Sequence, residues 1–206
     1  MTKPHKQSGQ RFAARRNVVY LVLASGLLMA GAMLYSLLSV NRISTRSASL
    51  ATAIERIQLE TTLGHLWFEE AISEEPAEIT KAWSHLDQAA WHAQAMLDGG
   101  ENDLDVVIPT DNLVLRCKIE VVIGNLRDFR VAAEKRWATK AQSGIGTESD
   151  QRFDTLFNAF IGQAHALRRS LNSVAEQTLS HFYIVEGFLI VLVMGLTALV
   201  AITFRR

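Results

Sequence analysis

The sequence predicts an all-α protein: an antiparallel, up-down four-helix bundle flanked by two transmembrane helices. Two uncharged apolar runs lie near the two ends of the 206-residue chain. Between them, apolar residues recur at alternating spacings of three and four, which is the period of one helix face. The three prolines fall at positions 4, 76 and 109, and strand signals are weak.

The apolar runs cover residues 17–40 and 187–204. As a helix, residues 17–40 extend about 36 Å, which is enough to cross a hydrocarbon core of about 30 Å. The alternative for this run is a cleaved signal peptide, whose apolar region is shorter, about 7–15 residues. The alternative for the second run is a buried core helix, but no other segment is apolar enough to surround it. We therefore expect transmembrane helices over 17–40 and 183–204.

The distribution of charge predicts the orientation. Residues 1–16 hold five basic residues and no acidic ones, and the chain ends with Arg205 and Arg206. Basic residues next to membrane spans stay on the cytoplasmic side. We therefore expect a bacterial inner-membrane protein with cytoplasmic ends at 1–16 and 205–206 and a periplasmic sensor domain at 41–182.

The net charge of the middle excludes one class of partner. Residues 41–181 hold 20 of the 21 acidic residues and 14 of the 21 basic ones, which gives a net charge of −6. This is not the basic surface that a nucleic-acid-binding protein presents.

Four helices are expected in the middle of the chain. The first covers 41–73 and continues from the first span, and the second covers 76–97. The third begins at an N-cap on Thr110 or Asp111 and extends to about 142, and the fourth begins near 149 and continues into the second span. We call the apolar stripe of each helix its seam. The seam residues are Leu50, Ile54, Ile57, Thr61, Gly64, Phe68 and Ala71; Ile79, Trp83, Leu86, Ala90, Ala93 and Leu97; Leu115, Ile119, Val122, Leu126, Phe129, Ala133 and Trp137; and Phe153, Phe157, Phe160, Ala164, Leu167, Leu171, Val174 and Thr178.

The layout of span, four helices and span resembles the extracytoplasmic sensor region of bacterial chemoreceptors (methyl-accepting chemotaxis proteins) and related sensor kinases. Four patches are also similar to those bundles: HLWFEE at 65–70, QAMLDGG at 94–100, SGIG at 143–146 and QRFDTLFNAF at 151–160. In that family the second span leads into a cytoplasmic signalling domain, whereas this chain ends at Arg206. The resemblance implies a sensory input module with its signalling output in a cytoplasmic domain or protein outside this chain. We expect the module to work as a homodimer, with the seams of the first and fourth helices available for pairing.

Two sets of side chains are candidates for binding. Histidine and carboxylate side chains at helical spacing can bind zinc, copper, nickel or haem inside a bundle. This metal set is His65, Glu69, His85 and His92. The outer end of the bundle collects aromatic and charged residues that suit a small ligand, with arginine available to a carboxylate. This ligand set is His65, Trp67, Glu69, Trp83, Arg136, Trp137 and Arg152. Aromatic residues at seam spacing also serve as plain core packing.

Other features predict less. Cys117, the single cysteine, excludes an intramolecular disulfide and is interpreted as a small, partly buried apolar residue, with an intermolecular disulfide as the alternative. The acidic cluster around Pro76 is interpreted as a solvated helix end, with divalent-cation binding as the alternative; it comprises Glu69, Glu70, Glu74, Glu75 and Glu78.

The sensor is what the resemblance implies. An enzyme is not expected, because the sequence holds no nucleophile elbow, P-loop, HExxH motif or dinucleotide fingerprint. No cofactor is expected. Two rival functions remain at this point: a membrane-anchored structural or adaptor subunit that binds a protein, and a metal- or haem-binding helical bundle.

Overall fold

A computed structural model describes residues 7–73, 76–103, 105–144 and 146–205; for 7–19, 21, 22, 199, 200 and 203–205 it describes the backbone alone. The predicted all-α class is confirmed. The α-helices in the described ranges are α1 (Gln7–Ser73), α2 (Ile79–Asp98), α3 (Leu113–Ala138) and α4 (Glu148–Arg205). Pro76–Glu78 and Lys140–Gln142 form short 3-10 turns, and Gly100–Glu101 (β1) pairs antiparallel with Val106–Val107 (β2).

The two long helices, α1 and α4, are unbroken over 67 and 58 residues. This confirms that the first and fourth predicted helices continue into the apolar runs. By length and composition both helices can span a membrane, and no part of either apolar window is buried within the chain. A core helix of a soluble protein would have that window buried. The side chains of the basic residues that predict the orientation lie outside the described part of the chain.

The chain divides into two compact units. The terminal unit comprises Met1–Ile43 and Glu176–Arg206, and the central unit comprises Ser44–Ala175. In the terminal unit, apolar side chains such as Leu27 and Phe188 are largely exposed, as expected of a lipid-facing surface. Within this unit, α1 and α4 also line a groove of about 150 Å³, and among the described lining residues Glu186 is the charged one.

The central unit contains two groups of buried apolar residues. The larger one, which we call the aliphatic core, draws on all four helices and includes Leu50, Ile54, Ile57, Ala93, Met96, Ile119, Val122, Leu126, Phe160, Ala164, Leu167 and Leu171. The smaller one, the aromatic core, consists of Phe68, Ala82, Leu86, Phe129, Ala133 and Phe153, with half-buried Trp67, Trp83, Trp137 and Phe157 packed against it.

The seams of α1, α3 and α4 are confirmed, because their residues are buried or half-buried. The seam of α2 is wrong in one position: Ala90 is exposed, whereas Ala82 and Ala89 are fully buried. Because the α1 and α4 seams lie inside the core of the same chain, they are not available for pairing with a second copy. The homodimer itself stays a prediction.

The α2–α3 connection is more ordered than a loop. Its two short strands are fastened to α1, because the Ser49 hydroxyl donates to the Val106 carbonyl (3.0 Å) and accepts from the Ile108 amide (2.9 Å). Gly99 follows α2 with φ of 78°, which favours glycine. The expected N-cap at Thr110 or Asp111 is wrong, since Asn112 caps α3 by accepting from the Leu115 amide.

Candidate functional site

A buried arginine organises the end of the central unit at which α1 ends and α4 begins. Arg136 on α3 is only 1% exposed. Its guanidinium makes two hydrogen bonds to the Glu69 carboxylate of α1 and an ion pair with Asp150 of α4 at 2.7 Å. Its Nε also donates to the Ser143 carbonyl at 3.3 Å. Three helices are thus joined through one cation, which has little donor capacity left for a ligand.

The same guanidinium lies over aromatic rings. Its central carbon is 5.6 Å from the Phe68 ring centre and 5.3 Å from that of Phe153. Burying a charge without partners is costly, and here two carboxylates and two ring faces replace the lost water. The predicted role of Arg136 as a clamp for a ligand carboxylate therefore does not fit its surroundings.

His65 on α1 is the second organising residue. Its ring stacks on Phe157 and Phe153, with centroid distances of 4.3 and 5.1 Å and interplanar angles of 22° and 9°. Its Nε2 lies 3.2 Å from the Asp154 Oδ1 of α4. The stacking fixes the ring plane, and the Asp154 contact fixes which ring edge faces α4.

His65, Glu69 and Asp154 form one cluster. A ligand atom from each residue lies within 4.8 Å of the other two. His65 and Glu69 are one helical turn apart on α1, as the sequence predicts, and α4 adds a carboxylate that the sequence analysis did not include. With Asp150 and Arg136 included, the charged groups comprise three carboxylates and one guanidinium, so the site has a net charge of −2 when His65 is neutral. Such a site favours a cation.

The three tryptophans of the predicted ligand set lie at the edge of the aromatic core. Each carries a cation over its ring: Lys81 over Trp67 at 4.2 Å, Arg130 over Trp83 at 4.2 Å and Lys140 over Trp137 at 4.7 Å. All three rings are half-buried against the aromatic core. Arg152, the remaining member of the predicted ligand set, is exposed on α4.

The other two histidines of the predicted metal set lie apart from this cluster. His85 Nδ1 is 2.6 Å from the Glu60 carboxylate of α1. His92 is 2% exposed, and its Nδ1 has no hydrogen-bond partner within the described ranges. Burial lowers the pKa of the His92 imidazole, opposed by the negative charges of Asp105 and Glu60 and assisted by Arg56. The geometry therefore separates the four predicted metal ligands into His65 with Glu69, His85 with Glu60, and His92 without a hydrogen bond to its Nδ1 in the described ranges.

Two further expectations have definite outcomes. Cys117 is exposed, so its interpretation as a partly buried residue is wrong. Of the acidic cluster, Glu69 belongs to the Arg136 ion pair and Glu78 contacts Lys81, while Glu74 and Glu75 lie outside the described residues.

Asp150 and Asp154 are not among the predicted site residues, although the sequence holds a signal for Asp150. Extending the α4 seam back by three residues from Phe153 reaches Asp150, and extending the α3 seam by three from Ala133 reaches Arg136 instead of Trp137. Both positions are buried. A charged residue at each end of an apolar seam, with opposite signs, predicts an ion pair in the core.

Comparison with known proteins assigns no family to this chain: no family model, no curated protein and no solved structure matches it.

Proposed function

We propose that this protein is a membrane-anchored sensory input module. It binds a small ligand in the periplasm and transmits a helix displacement across the inner membrane to a cytoplasmic signalling output. The observation that carries the proposal is the link between α1 and α4 at the His65–Asp154 pair and at Arg136. These are the two helices that continue without a break into the apolar segments.

The proposal includes an antiparallel, up-down four-helix bundle for the central unit. The contacts between α1 and α4 support it, because residue numbers increase along α1 while those of the contacted α4 residues decrease. The pairs are Glu55 with Arg168, Gln58 with His165 and His65 with Asp154. The short connections between helices also favour antiparallel neighbours. With both chain ends in the cytoplasm, residues 41–182 would lie in the periplasm.

The proposed mechanism is a change between two packings of α4 against α1. A ligand shifts such an equilibrium only by its difference in affinity for the two packings. Displacements of about 1–2 Å are typical of signalling helices. An unbroken helix transmits such a displacement from one of its ends to the other without needing further contacts.

A cross-linking experiment tests transmission without a known ligand. The chain is fused after Arg206 to the cytoplasmic part of a chemoreceptor, with Cys117 replaced by serine. Cysteines are then introduced at His65 and Asp154, whose side-chain tips lie 3.2 Å apart across α1 and α4, and are bridged by a bis-maleimide that contains a reducible disulfide. We expect the bridge to change the output, measured as kinase activity in membranes, and reduction to restore it.

The matched control is a pair of glycine insertions. Two glycines after Ser173 interrupt α4 between the site and its apolar segment, and we expect them to abolish the response. The same two glycines after Asp103, in the turn between β1 and β2, leave α4 intact and should preserve it. A response that survives the insertion after Ser173 would contradict transmission through α4.

A further inference from the structure

We propose that His65, Glu69 and Asp154 bind a divalent transition-metal ion, with zinc as the best fit, and that this ion is the ligand of the sensor. The binding site depends only on the geometry of these three residues. Its role as a signal rests on the function proposed above.

The distances suit a tetrahedral ion. Zinc binds histidine nitrogen and carboxylate oxygen at about 2.0–2.2 Å, so two ligand atoms on one tetrahedral ion are separated by about 3.3 Å. His65 Nε2 and Asp154 Oδ1 are 3.2 Å apart. The Glu69 ligand atom lies within 4.8 Å of both, so its side chain would move by at most about 1.5 Å to complete a three-ligand site. The fourth position would be left to water.

The surroundings supply what metal ligands require. Ligating carboxylates are normally held by hydrogen bonds from a second layer of residues, and Arg136 holds Glu69 in this way. A carboxylate has about four lone-pair sites, so Glu69 can accept from Arg136 and still bind an ion. The net charge of −2 on the site matches the charge of a divalent cation.

The donor set selects the metal. Imidazole favours zinc, copper, nickel and iron, whereas magnesium and calcium prefer sites made of oxygen alone. One imidazole and two carboxylates are therefore a better match to zinc than to the alkaline-earth ions. Because the imidazole must be neutral to bind, zinc uptake will weaken at acidic pH.

The position of the ligands connects binding to transmission. His65 and Glu69 lie on α1, and Asp154 lies on α4. An ion bound by all three would draw α4 towards Glu69, which is also bonded to Arg136 of α3. Zinc binding would then favour one packing of α4 over another, as the sensor mechanism requires.

The test uses the full chain with Cys117 replaced by serine, purified in detergent with a tag that holds no histidine. We expect one zinc ion per chain after dialysis, measured by mass spectrometry of the metal. Affinity is measured by competition with a chromogenic chelator. Asp154→Asn and His65→Gln should each weaken zinc binding at least about 10-fold, because even second-layer changes have effects of about 10–100-fold.

The control variant is Asp87→Asn, which removes a comparably exposed carboxylate that pairs with Arg130 on α3. It should bind zinc like the parent, and millimolar magnesium or calcium should not compete. Asp154 is 53% exposed, so its substitution leaves the fold intact, as circular dichroism will verify. Failure to retain zinc, or unchanged affinity in Asp154→Asn and His65→Gln, would overturn the site.

The chimera separates the two proposals. Zinc that binds at the site but leaves the output unchanged would refute its role as a signal. Suppose that the cross-link changes the output of the cysteine chimera, while zinc leaves the output of the chimera with native His65, Glu69 and Asp154 unchanged. The sensor function would then be retained and zinc rejected as its ligand.

Discussion

The two cores of the central unit are built by different means. The aliphatic core is filled by leucine, isoleucine, alanine and valine side chains from four helices, with Phe160 among them. The aromatic core is smaller and surrounds a fully buried cation whose partners reach in from two other helices. Burying apolar surface stabilises without requiring a particular partner, whereas a buried charge depends on each of its partners. Such polar groups in a core are where function is expected.

Removing the buried cation is the strongest test of the difference between the two cores. Arg136→Met leaves Glu69 and Asp150 facing each other without a counter-charge, since both are bonded to the same guanidinium. We expect the free energy of unfolding to fall by about 3–5 kcal/mol, the usual cost of breaking a buried ion pair. Denaturant unfolding of the full chain in detergent, followed by circular dichroism, measures the loss.

Arg130→Met is the matched control. Arg130 pairs with Asp87 and Glu134, whose side chains are 73% and 55% exposed. Exposed pairs contribute at most about 1 kcal/mol. Equal losses for the two arginines would show that Arg136 is not the organising residue of the aromatic core.

In the aliphatic core, the loss of side-chain volume should lower the free energy of unfolding, as it does in other apolar cores. Ile119 on α3 is fully buried, and Ile119→Ala should lower the free energy of unfolding by about 2–4 kcal/mol through lost burial and the cavity left behind. Val121→Ala, two residues away and 50% exposed, should change it by less than about 0.5 kcal/mol. Similar values for the two variants, measured by the same unfolding assay, would place Ile119 outside the core.

The smallest effect expected is a dependence of stability on pH. His92 is buried beside Ala93 of the aliphatic core, and burial lowers its pKa. Below its ordinary value of about 6.5, the unfolded chain binds this proton more readily than the folded chain. Stability due to neutral His92 is therefore present above pH 6.5 and falls as pH decreases below it.

His92→Gln removes the titration while retaining a polar side chain. Between pH 7.5 and 5.5, the melting temperature of the parent should fall more than that of His92→Gln. Carboxylates that do not interact with His92 cancel in this comparison, whereas Asp105 and Glu60 act on its charge and belong to the effect. A parallel decrease in both would contradict the role assigned to His92.

Much of the fold follows from local spacing. The seams of α1, α3 and α4 consist mostly of large apolar residues, so a period of three and four identifies the buried face. The α2 seam is wrong at Ala90 because alanine lies on both faces of this helix: Ala89 is buried and Ala90 is exposed. The β1–β2 pair could not be predicted, because strands of two residues carry too short a pattern, and β2 is held by hydrogen bonds to Ser49, which is distant in sequence.

The candidate site was predicted in part for a related reason. His65 and Glu69 share a helix face, and this follows from their spacing alone. Asp154 joins them only through the packing of α4 on α1. The donors of Arg136 are occupied because Glu69 and Asp150, from two other helices, both bind its guanidinium. Contacts between distant segments are not encoded in local periodicity.

The attachment of α4 differs along its length. At its beginning, Asp150 is held by Arg136 and by the Gly146 amide, both at 2.7 Å. About five turns further on, Arg168 reaches only a half-exposed Glu55. α1, by contrast, is tied to the α2–α3 connection through Ser49 and through Arg56 with Asp105. α4 is thus held by specific charged partners at its beginning and by the apolar burial of Leu167 and Leu171 further on. A change at the site would therefore exchange the charged partners of α4 without disturbing its core packing.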